Sequence, residues 1–90
     1  MTIQEMDIIT LESNKQYIVI KEMSNYSFPC FFVANTKNAS DRKFITIDND
    51  TVTTIEDKEL LDILHNDFCK DENEIKKLIN KTIKLIEENI

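Results

Sequence analysis

His65 and Cys69 stand four residues apart in a stretch that reads as helical, so they share one face. Two kinds of chemistry could follow. One is half of a zinc site, but a structural zinc ion needs four ligands, and only Cys30 and acidic side chains could complete the set. The other is a thiol nucleophile beside an imidazole base. A reactive thiolate wants an electropositive pocket, whereas Cys69 lies between Phe68 and Lys70 amid acids. Cys30, flanked by Pro29 and Phe31, reads as a small core residue. Neither pairing gathers enough groups, so incidental placement near a helix end is expected.

Asp48-Asn49-Asp50 places three oxygen ligands in a row. A calcium loop also needs a glycine and a distal glutamate at fixed positions, and both are missing, so a turn is expected. The other carboxylates lie in turns or on polar helix faces. General acid–base work needs a carboxylate perturbed by burial, and none stands alone in an apolar segment. The expectation is no enzyme: no catalytic residue, no cofactor and no metal.

The chain has no glycine at all. Phosphate-cradling loops and dinucleotide fingerprints need glycine for close backbone approach, so their standard forms are excluded. Asn14, Asn25, Asn35, Asn38 and Asn49 fall between apolar runs instead. Asparagine tolerates positive φ and hydrogen-bonds its own backbone, so these residues are expected to turn the chain.

Ninety residues with 41% hydrophobic content imply one small domain, 1–90, with a thin core. The net charge is −6, the wrong sign for neutralising phosphates or anionic lipid. Neither direct nucleic-acid binding nor membrane binding is expected. No apolar run reaches the length of a membrane span, and the start MTIQEMD lacks the features of a secretory signal. Two distant cysteines read as reduced thiols, hence a cytoplasmic location. Usage heavy in Ile, Asn and Lys suggests AT-rich codons, as in a low-GC bacterium or its phage, the latter acting in the host cytoplasm.

The hydrophobic period changes once, near Thr54–Asp57. Before it, short β-branched and aromatic runs predict strands over Met6–Glu12, Gln16–Met23, Phe28–Asn35, Lys43–Asp48 and Thr51–Ile55. Thr36–Arg42 is polar and is expected to be the longest loop. After it, apolar residues recur every three or four positions. One helix is predicted over 57–68, with Thr54 and Asp57 competing to cap it. A second is predicted over 71–89, opening on Asp71-x-x-Glu74 at capping-box spacing. The fold class is therefore α+β: a five-stranded antiparallel meander over 6–55, either a twisted sheet or a half-barrel, followed by two C-terminal helices.

Asp7–Leu11, Tyr17–Val19, Phe31–Val33 and Glu59-Leu60-Leu61 carry a resemblance over residues 6–68. The opening resembles SH3-like small barrels. The whole stretch is similar to a group of uncharacterised small proteins from low-GC Gram-positive bacteria. The resemblance implies a fold and no activity. Asn14 stands where that pattern usually has glycine, and the last helix extends beyond it.

Two functional readings follow. The first is a small acidic non-enzymatic protein-interaction module. Its contact residues would be Tyr26 and Phe31 from the aromatic cluster, with Ile75, Leu78, Ile79, Ile83 and Ile86 from the last helical stripe. The partner would be another protein, basic in charge, or a second copy paired through that helix as a homodimer. The alternative is a phage-encoded inhibitor of a host defence nuclease, of the anti-CRISPR or anti-restriction type. Asp57, Glu59, Asp62, Asp67, Asp71, Glu72 and Glu74 would then mimic phosphates, although such charge runs are usually solvated faces.

Overall fold

The computed structural model describes residues 3–11, 14–23, 28–68 and 71–88. Strands β1 (Ile8–Thr10), β2 (Gln16–Met23), β3 (Cys30–Asn35), β4 (Asn38–Asp48) and β5 (Thr51–Thr54) precede helices α1 (Lys58–Phe68) and α2 (Glu72–Glu88). Each strand pairs antiparallel with the next, in the order β1-β2-β3-β4-β5, and the sheet curls into a half-barrel. The expected α+β meander is therefore the fold.

Asparagine does turn this chain, in two ways. Asn14 and Asn49 take positive φ, at 58° and 50°, and Asp50 joins Asn49 at 65°. With Asp48 opposite Thr51, Asn49-Asp50 is the two-residue hairpin turn that needs left-handed backbone at both centres. Asn35 and Asn38 act through their side chains. Asn35 Oδ1 accepts from Lys37 N at 2.8 Å, and Asn38 Oδ1 accepts from Ser40 N at 3.1 Å. Such local bonds bend the backbone without glycine. Asn25 lies outside the described residues.

The expected loop Thr36–Arg42 is the main correction. Asn35 pairs with Asn38 across a tight turn, so Thr36-Lys37 is the whole connection and β4 begins five residues early. The polar composition reflects a bulge. Ala34 pairs with Arg42 while Asn35 pairs with Asn38, which leaves residues 39–41 without counterparts. Bulges of this kind re-aim side chains. At the other end β1 is only Ile8–Thr10, much shorter than Met6–Glu12. Met6 has φ 74°, and its N–H donates to the Val19 carbonyl at 2.8 Å, outside the regular ladder.

The sheet has a core on each face. Ile18, Ile20, Met23, Cys30, Phe32 and Phe44 pack against Ile55, Leu64, Ile75 and Ile79 on the helix side. Tyr17, Val19, Phe31, Val33 and Ile45 form the other core, which Ile3, Ile9 and Leu11 help to close. β2 contributes to both cores, so both its faces are covered. A register shift between Val19 and Lys21 puts both Ile20 and Lys21 on the helix side. Lys21 Nζ accordingly lies 5.3 Å from the Phe68 ring centroid.

The helices begin where side chains supply acceptors. Asp57 Oδ1 accepts from Glu59 N at 2.9 Å and Leu60 N at 3.2 Å, which decides the competition with Thr54. Asp71 Oδ1 accepts from Asn73 N at 2.9 Å. Each cap satisfies amide donors that a helix start leaves unpaired.

Candidate functional site

The last strand covers only part of its neighbour. β5 pairs with β4 from Ile45 to Asp48, and Ile55 N then donates to the Phe44 carbonyl at 2.9 Å. In an antiparallel ladder alternate residues direct both backbone groups to the same side, so the even-numbered residues of β4 face β5. Arg42 is the next of them. Extending the register from Ile45↔Thr54 would bring Asp57 opposite Arg42, but Asp57 caps α1 instead. The Arg42 N–H and C=O thus point off the sheet edge, with no strand opposite them among the described residues.

A groove of about 970 Å³ follows this edge, at the upper end of the size of ordinary ligand pockets, about 300–1,000 Å³. Ser40, Arg42, Lys43, Thr53 and Thr54 line it from the β4–β5 side. Thr10 and Leu11, at the end of β1, also line it, so the curl of the sheet brings its two edges to one groove. Phe32, Phe44, Ile55, Leu61 and His65 give it an apolar and aromatic lining.

Its charge runs against that of the chain. Arg42 and Lys43 outnumber Glu56 along the lining, in a protein of net charge −6. Arg42 reaches the helix side and forms an ion pair with Glu72 at the start of α2. The Arg42 side chain is 17% exposed and Glu72 58%, so the pair lies at the rim. Arg42 Nη1 is buried and has no hydrogen-bond partner among the described residues.

Lys43 reaches the opposite face, with Nζ 5.2 Å from the Tyr17 ring centroid. Tyr17 Oη donates to Asp41 Oδ2 at 2.5 Å, and Asn35 Nδ2 donates to the same oxygen at 3.1 Å. The bulge in β4 aims Asp41 at this hydroxyl. Burial, then the bond to Asp41 and its charge, push the Tyr17 phenol up to about 12. The Tyr17 bond foremost, with Asn35, Lys43 and Lys15, holds the Asp41 carboxyl below its ordinary range. This network ties the bulged end of β4 to β2, and its tyrosine is closed to substrate at 1% exposure.

The residues singled out from the sequence scatter. Phe31 is buried in the second core, where the curled sheet covers the face that the helices leave open. Ile75 and Ile79 are buried against the sheet, while Ile83 and Ile86 are half-buried there. Most of the α2 stripe is thus used within the chain, and Leu78 and Leu85, 38% and 39% exposed, remain outside it. Tyr26 and Cys69 lie outside the described residues. His65 is exposed and meets the Phe44 ring edge-on at 5.1 Å. Burial pushes the Cys30 thiol up to about 11, as expected of a packed core thiol. Asp57, Glu59, Asp62, Asp67, Asp71, Glu72 and Glu74 are all exposed. Asp57 and Asp71 act as helix caps and Glu72 pairs with Arg42.

Arg42 was absent from the sequence-based candidates. A signal was available: it is the chain's single arginine among many lysines, and arginine is the cation suited to forked recognition of carboxylates. No helix among the described residues is long and apolar enough to cross a membrane. No protein-family model, curated protein or solved structure matches the chain.

Proposed function

We propose that the chain is a small non-enzymatic protein-interaction module whose binding surface is the groove along the open edge of β4. The observation that carries this reading is the uncovered Arg42 backbone in a groove that both edges of the sheet line. An unpaired sheet edge is a ready template for another chain. Panning a random peptide display library on the full chain tests the reading, with recovered peptides mapped by backbone amide shifts. Shifts centred on Lys43, Thr53 and His65 are expected. A library that yields no binder defeats it, as do binders whose shifts gather around Leu78 and Leu85.

Self-association is the narrower form of the same reading. On α2 it rests on Leu78 and Leu85 among the described residues, since Ile75, Ile79, Ile83 and Ile86 pack inward. Stable interfaces bury about 1,200–2,000 Å², far more than two half-exposed leucines supply. Light scattering should therefore return the monomer mass of 10.6 kDa. The nuclease-inhibitor reading is supported by the surface position of its carboxylates. It predicts a basic partner released as salt screens the contact.

A further inference from the structure

The groove's chemistry identifies the class of its occupant. We infer that it takes an extended peptide segment, added to the β4 edge as a strand, with an acidic side chain read by Arg42. This rests on the groove being the interaction surface. Three observations converge on it. First, the Arg42 N–H and C=O face outward beyond the end of β5. Such a pair binds an extended backbone, and strand addition draws affinity from main-chain hydrogen bonds and specificity from alternate side chains. Second, a strand entering there runs in line with β5 and meets Thr10 and Leu11 at the end of β1, so it narrows the gap in the half-barrel. Third, the residue opposite Arg42 would project to the same face as the guanidinium, as cross-strand neighbours do.

That guanidinium has spare capacity. It forms an ion pair with Glu72, yet Nη1 finds no acceptor among the described residues. A buried donor without a partner is a standing penalty, and a planar carboxylate can take two guanidinium donors at once. The Arg42 guanidinium on the lining also favours an acidic segment over a basic one. Glu72 then has a second role: from the first turn of α2 it occupies the position that the ligand carboxylate would take. It competes with the partner and releases Arg42 when an acidic strand arrives.

The peptides recovered from the library read this directly. They should carry Asp or Glu at one fixed position, flanked by alternating β-branched residues, with no proline at the positions that bond to Arg42. Arg42→Met should weaken a recovered peptide at least about tenfold, the scale of a hydrogen bond to a charged group. Glu72→Gln should tighten it several-fold by removing the competitor. Exchange of the Arg42 amide should slow at least about tenfold on binding. Peptides that map to the groove but are basic or helical, or that bind Arg42→Met unchanged, overturn strand addition and leave the groove reading intact. An unprotected Arg42 amide in the complex does the same. A folded, cooperative melt for each variant keeps loss of binding distinct from loss of structure.

Discussion

The two halves of β4 differ in almost every respect. From Phe44 to Thr46 the strand has a neighbour on each edge, with β3 on one side and β5 with Ile55 on the other, and Ile47 and Asp48 continue beside β5. Phe44 and Ile45 are buried at 2% and 0% exposure. From Asn38 to Lys43 the strand has β3 alone, bulges at residues 39–41, and is polar. One continuous strand thus holds a segment that builds the core and a segment that leaves hydrogen-bonding groups unused. The dividing point is where the chain leaves the sheet to start α1. Had β5 run three residues further, to Asp57, Arg42 would be an ordinary ladder residue.

The comparison is most sharply tested in the covered half. Phe44 packs at 5.0 Å from Phe32 and 5.1 Å from His65, ring centroid to centroid. Phe44→Ala should cost about 3–5 kcal/mol, the range for deleting a buried aromatic, read as a fall in the urea midpoint. A loss under about 1.5 kcal/mol would mean that the covered half is not the anchor described above.

In the open half the largest effect should come from Asp41, which the bulge turns back onto Tyr17. Tyr17→Phe removes a bond to a charged group and should cost about 1.5–3 kcal/mol. The pH dependence gives a second readout. The Asp41 carboxyl is lowered from 3.8, so its contribution is present above that pH and fades as pH falls through the native value. The Tyr17 phenol is raised from 10.0 to about 12, so its contribution is complete below pH 10 and is lost between there and about 12. Tyr17→Phe should remove the alkaline loss and soften the acid one. Unchanged profiles would show that the bulge holds without this network.

What was legible in the sequence follows the same division. Alternation marks Lys43–Asp48 and Thr51–Ile55, because burial on one pleated face writes itself into a period of two, and a continuous β-branched run marks Gln16–Met23, which is covered on both faces. Residues 38–42 carry no such signature. A bulge breaks the period, and Asp41 and Arg42 face partners distant in sequence, so polarity alone suggested a loop. The fate of Phe31 was open for a related reason: alternation puts Phe31 and Phe32 on opposite faces but does not reveal that the sheet curls over one of them. The site was hidden further, since it depends on where β5 ends relative to β4, a matter of register rather than composition. The helix caps were readable because their geometry is local, and Asp57→Ala should cost about 1 kcal/mol at the start of α1, measured in the same urea titration.

The smallest effect on stability should come from the residue with the largest effect on binding. Arg42 contributes an ion pair whose partner Glu72 is more than half exposed, so solvent screening limits its worth to about 0–1 kcal/mol. Against that stands the buried Nη1 without an acceptor, a penalty of about 1–3 kcal/mol. Replacing Arg42 by methionine keeps an unbranched apolar stem in the seam and removes both terms. The variant should therefore unfold within about 1 kcal/mol of the parent, on the stable side if the penalty dominates. A side chain that adds little to the fold while presenting its charge at an open sheet edge is the pattern expected of a recognition residue. Destabilisation beyond about 2 kcal/mol on Arg42→Met would reverse the assignment, making Arg42 a fastener between sheet and α2 and removing the contrast between the two halves of β4.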